Sequence, residues 1–126
     1  MAEATTTYNF RQRLAKHFYD GSSLPQIAMM AFGDGGHNAD GTAKPPDAAR
    51  TSLNHELLRK PLAAKVQEDG YSVTGTGRLE KSELLGAHIS EAALLDEVGN
   101  MLGFRNFAPK IKESDETYEI SVKLKF

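Results

Sequence analysis

The sequence predicts a single α+β domain in which one N-terminal helix accompanies a mainly antiparallel β-sheet with a long Gly/Pro loop projecting from it. Three observations carry this. Phe10, Leu14, Ala15 and Phe18 recur at helical spacing between a run of threonines and Gly21. At the other end, Tyr118, Ile120, Val122, Leu124 and Phe126 alternate with Thr117, Glu119, Ser121, Lys123 and Lys125, a period of two that no helix gives. Between these ends, Gly33, Gly35, Gly36, Gly41, Pro45 and Pro46 crowd one polar stretch. Such glycines tolerate positive φ without a Cβ penalty, and prolines fix φ and hold their predecessors extended, so a built turn is expected there.

Taken in order, Thr7 to Asp20 is the helix, with a threonine as N-cap and Gly21 as its end. Arg11, Arg13 and Lys16 read as its solvated face, and His17 as ordinary surface. From Leu24 to Phe32 both parities are apolar: Ile27, Met29 and Ala31 on one side, Ala28, Met30 and Phe32 on the other. Bounded by Pro25 and Gly33, this run fits a strand covered on both faces. After the loop, Asp47 is expected to cap a short helical segment carrying Ala48, Ala49 and Leu53.

Leu57 to Gln67 reads as one strand, because in a helix Pro61 would remove a backbone donor and clash with the preceding turn, at a cost of about 3 kcal/mol. That strand puts Leu58, Leu62, Ala64 and Val66 on one face, with Pro61 at an edge or bulge. Glu68, Asp69 and Gly70 turn the chain into a hairpin partner, Tyr71 to Leu79, where Tyr71, Val73 and Leu79 share one parity. Gly75 and Gly77 then mark bulges or close backbone approach. The segment from Leu79 to Leu102 is ambiguous: a purely local reading puts a helix over Ser90 to Val98, while Gly86 before it and Gly99-Asn100 after it are turn chemistry that a hairpin would use.

Composition sets the outer limits. At 126 residues the whole chain, 1–126, is one domain with one core. Fifteen basic residues against 17 acidic ones give a net charge of -2, which lacks the basic footprint of a nucleic-acid binder. The absence of cysteine excludes disulfides, thiolate metal sites and a catalytic Cys. No apolar run approaches the ~20 residues that span a bilayer, and MAEATTTYNF lacks a signal-peptide pattern. No nucleic-acid or membrane partner is expected.

The order MAFGDGG, a short polar loop, PPDAARTSLNHELLRK, and then ISEAALLDEVGNML from Ile89 to Leu102 resembles the N-terminal domain of contractile-phage tail-collar fibre proteins. The resemblance runs from about Tyr8 to Phe126. It implies that the I-S-E-x-x-L-L-D segment is a strand and V-G-N the turn before a second strand, which decides for the hairpin over the helix. It also implies a structural protein of a phage tail or tail-like particle, assembled in the bacterial cytoplasm, that attaches a fibre to the baseplate. Its partners would be baseplate and fibre proteins, and threefold fibre symmetry implies a homotrimer. Family members usually continue into a shaft while this sequence stops at Phe126, which implies an adaptor or a fibre reduced to its attachment end.

Residues that could carry chemistry cluster around the loop. Asp34, His37 and Asp40 in DGGHNADG are the basis of a rival reading, a small metal- or ligand-binding domain, possibly a hydrolase. The pattern is weak: the first oxygen-donor position of a calcium loop is occupied by Gly36, and we expect neither metal nor cofactor. No phosphate-binding pattern closes GDGGHNADG, no nucleophile elbow is present, and His55-Glu56 lacks its second histidine because Arg59 stands there. No enzyme is expected. Asp34, His37, Asn54, Glu56, Arg59 and Glu91 remain as partner-docking or loop-stabilising residues, with Arg59 paired to Glu56 or Glu91 at the loop base. Met29, Met30 and Phe32, which lead into the loop, would suit an oligomer interface or equally an ordinary core.

Overall fold

The computed structural model describes residues 4–126. The elements in order are β1 (Thr5–Thr6), α1 (Tyr8–Asp20), β2 (Ile27–Gly33), β3 (Glu56–Pro61), β4 (Ala64–Val66), β5 (Ser72–Leu79), β6 (His88–Asp96), β7 (Met101–Ile111) and β8 (Tyr118–Lys125). They form a five-stranded sheet, β1-β7-β6-β2-β3, and a three-stranded sheet, β4-β5-β8. Every pairing is antiparallel. The chain is therefore mostly β with one helix, which meets the α+β expectation only in that coarse sense.

The main core lies between the two sheets. Met30 and Phe32 from β2, Ala92 and Leu94 from β6, and Leu102 from β7 face Leu79 of β5 and Ile120, Val122 and Leu124 of β8. Close approach of the sheets is made possible by glycine: a Cβ on Gly77 would lie 2.6 Å from Met30 Sδ and 2.7 Å from Phe32 Cζ. Gly75 meets Leu94 and Leu62 in the same way. The opposite face of the five-stranded sheet carries a second cluster, Ala31, Ala93, Leu95, Met101 and Phe104 with Leu53 and Met29. This explains why β2 is apolar on both parities. Of the two readings of Met30 and Phe32, interface or core, the second holds, because neither has exposed surface.

The helix forms where its caps predict. Thr7 is the N-cap, its Oγ1 accepting from Phe10 N at 3.2 Å and donating to Met101 O at 3.0 Å. Gly21, at φ 75°, ends it in the left-handed region. Phe10 is the helix's one buried residue, and its ring meets Phe126 edge-to-face at 6.1 Å. On the face read as solvated, Arg13 instead reaches the buried Asp96, with Nη2 to Oδ2 at 2.9 Å.

The hairpin β6–β7 and the strand β8 appear as expected. Opposite Ser90, β7 holds extra residues, because Ile89 pairs with Lys110 while Glu91 pairs with Asn106. Pro109, which cannot donate to a ladder, falls within that irregularity.

Three local expectations are overturned. Asp47 makes an Asx turn, its Oδ1 accepting from Ala49 N at 3.0 Å, but no helix follows, since Arg50 is held by Glu91 and Leu53 is drawn down onto the sheet. The single strand from Leu57 to Gln67 is two strands in different sheets. Leu62 N donates to Ala28 O in the first sheet, and the next amide, Ala63 N, donates to Thr76 O in the second. Pro61 therefore sits at a corner. In β5, Leu79 faces the core on the expected parity but Tyr71 is exposed, while Ser72 and Thr74 on the other parity are buried.

Candidate functional site

A carboxylate inside an apolar strand organises the Gly/Pro stretch. Glu91 lies in β6 among Ile89, Ala92, Ala93, Leu94 and Leu95 and has no exposed surface. Burying it requires that its charge be met by donors. Oε2 accepts from Gly35 N at 3.0 Å and His55 N at 2.8 Å, and Oε1 accepts from Asn54 N at 2.9 Å and Arg50 Nη2 at 3.1 Å. Both ends of the segment 34–55 thus converge on one side chain. Asn54 Nδ2 closes the arrangement by donating to Gly35 O at 2.8 Å.

The glycines serve this convergence. A Cβ on Gly33 or Gly35 would collide with Glu91 and with the backbone of His55, and one on Gly36 would collide with the Ser90 carbonyl. Of the loop glycines only Gly41 has positive φ, at 84°. Close approach, rather than left-handed geometry, fixes the other three. Ser90 Oγ accepts from Gly36 N at 2.9 Å and contacts His37 Nδ1 at 2.7 Å, while His37 and Ala43 form a short antiparallel bridge. The segment therefore lies along the sheet instead of projecting from it. Its tip, Asn38 to Asp40, is exposed.

Above the outer apolar cluster, the Arg50 guanidinium lies 4.6 Å from the Phe104 ring centroid while it binds Glu91, and Leu53 packs beside it. Asn106 Nδ2 donates to Lys44 O at 3.2 Å, and Tyr8 N donates to Ala48 O at 2.8 Å. Arg59 pairs with Glu56 at 2.9 Å and not with Glu91. Glu56 thereby holds the Arg59 guanidinium above its ordinary pKa.

Among the expected site residues, Asp34, His37, Asn54 and Glu91 are gathered at this point, whereas Glu56 and Arg59 form a separate exposed pair. Arg50 and Ser90 were missed by sequence reasoning. A signal existed: a lone acid in the apolar run Ile89 to Leu95 calls for a cation, and Arg50 is the one arginine of the Gly/Pro stretch. The rival set does not converge. Asp34 binds His55 Nδ1, His37 binds Ser90, and Asp40 binds Thr42 through its hydroxyl and amide, which lower the Asp40 pKa. Among the described residues no three His, Asp or Glu side chains are placed to hold a metal ion. Nor is any helix there long and apolar enough to cross a membrane.

No protein-family model matches the chain, and no curated protein sequence is similar enough to count as a relative.

Proposed function

We propose that this chain is an attachment module of a contractile phage tail or tail-like particle, fastening a fibre to the baseplate. One observation supports it above the others. The three separated segments that carry the sequence resemblance, Met30 to Gly36, Pro45 to Lys60 and Ile89 to Leu102, are parts of a single assembly around Glu91. Residues quoted for the resemblance are thus the ones that interlock. The rival metal- or ligand-binding reading draws no such support, since Asp34, His37 and Asp40 are each engaged by a different neighbour.

The attachment reading carries a homotrimer and protein partners drawn from the baseplate and the fibre. Two measurements test it. Sedimentation equilibrium on the purified chain should give a trimer, and mixing with the products of neighbouring tail genes should give a stable complex. A monomer that binds none of those products would overturn the proposal.

A further inference from the structure

The outer face of the five-stranded sheet is as buried as a core, with Ala31, Ala93 and Phe104 showing no exposed surface. Yet across residues 34–55, which lie on it, Leu53 is the one apolar side chain that is buried. Apart from Arg50 lying over the Phe104 ring, the rest of the attachment is hydrogen bonding: Gly36 and His37 to Ser90, Lys44 and Arg50 to Asn106, Ala48 to Tyr8 N, and four donors to Glu91. The two ends of the segment meet on the same carboxylate oxygen, through Gly35 N near its start and His55 N at its last residue.

We propose that residues 34–55 form a strap that opens as one unit from the outer sheet face, with Glu91 as its latch. A segment held mainly by polar contacts at the surface opens at lower cost than one held by a packed core. Because both ends share one acceptor, the loss of that carboxylate frees them together. Opening lifts Arg50 from the Phe104 ring and Leu53 from the outer cluster without disturbing the core between the sheets, which is built on the opposite face. The strap is therefore a built-in cover for an apolar surface. The inference stands independently of the attachment reading, since it concerns the isolated chain.

Amide exchange followed residue by residue on the full chain, across low denaturant concentrations, tests it. The amides of Gly35, Gly36, Asn54 and His55, each bonded to β6, should share one opening constant and one denaturant slope, both smaller than those of Gly75 and Val122. Glu91→Gln, which puts an amide donor against the strap's own donors, should speed exchange at those four sites about tenfold or more while changing Gly75 and Val122 far less. Independent behaviour of Gly35 and His55, or strap amides exchanging only with Val122, would overturn the proposal. So would an equal acceleration in both groups. Should Glu91→Gln fail to fold, the wild-type slopes decide alone: a shared smaller slope supports the strap, and a slope equal to that of Val122 overturns it.

Discussion

Gly36 and Gly41 stand in the same strap and owe their identity to different physics. At Gly36 a methyl group would be driven into the Ser90 carbonyl, a backbone atom that can retreat only by shifting β6. At Gly41 nothing lies within 4 Å of the added carbon, but φ is +84°. Gly36→Ala should therefore cost about 2 to 4 kcal/mol by overpacking, whereas Gly41→Ala should cost about 1 to 2 kcal/mol from backbone strain alone. Urea midpoints of the two variants check this, and equal losses would mean that the space around Gly36 relaxes freely. A glycine cluster was legible in the sequence, but its reason was not. Composition shows only that glycine is favoured; the Ser90 carbonyl beside Gly36 and the positive φ of Gly41 show why.

At the scale of elements, the turn from β6 to β7 is built on Asp96. Its Oδ1 accepts from Val98 N and Gly99 N at 3.0 Å and from Asn100 N at 2.9 Å, and Oδ2 takes Asn100 Nδ2 at 3.0 Å and Arg13 Nη2 at 2.9 Å. Burial works against the charge, but the Asn100 side chain and amide, Arg13 and the Val98 amide outweigh it and hold the pKa below the ordinary aspartate value. A folded-state pKa below the unfolded one means that the contribution is complete above about pH 4 and is lost as pH falls through the folded pKa. Asp96→Asn should remove about 2 to 3 kcal/mol at neutral pH, since it strips the acceptor from Arg13 and weakens the turn. The variant should also show a shallower loss of stability below pH 4 than the parent, as followed by denaturation at several pH values. Thr7→Ala should cost about 1 to 2 kcal/mol, as the cap oxygen also ties the helix to β7.

Those caps and turns were readable because they are local: Thr7, Gly21 and Gly99-Asn100 act on neighbours in the chain. The corner at Pro61 to Ala63 was not. An alternating pattern fixes which side chains share a face, and it says nothing about which sheet receives the next amide. The helix expected after Asp47 failed for a related reason. Leu53 and Arg50 are claimed by Phe104 and Glu91, contacts made across the fold, and these override the preference of Asp47 to begin a helix.

Across the whole molecule, the two sheets are tied at both sides. The chain steps from one to the other through Leu62 and Ala63, and on the far side Ala4 N donates to Lys123 O at 2.8 Å while Gly103 admits Leu124. Between them lies one core to which both sheets contribute, so neither sheet keeps a buried face without the other. A domain of this construction should unfold in one step. Leu94, with no exposed surface, packs over Gly75 of the opposite sheet. Its truncation, Leu94→Ala, should cost about 3 to 5 kcal/mol and should lower the transition seen by every probe equally. Far-UV circular dichroism reports all strands, whereas fluorescence from a tryptophan placed at exposed Tyr71 reports the end of the three-stranded sheet. Coincident urea curves from the two probes, displaced together in Leu94→Ala, are the expected result. Curves that separate, with the Tyr71 reporter unfolding first, would mean that the three-stranded sheet is a dispensable layer and that the five-stranded sheet holds its fold by the outer cluster under the strap.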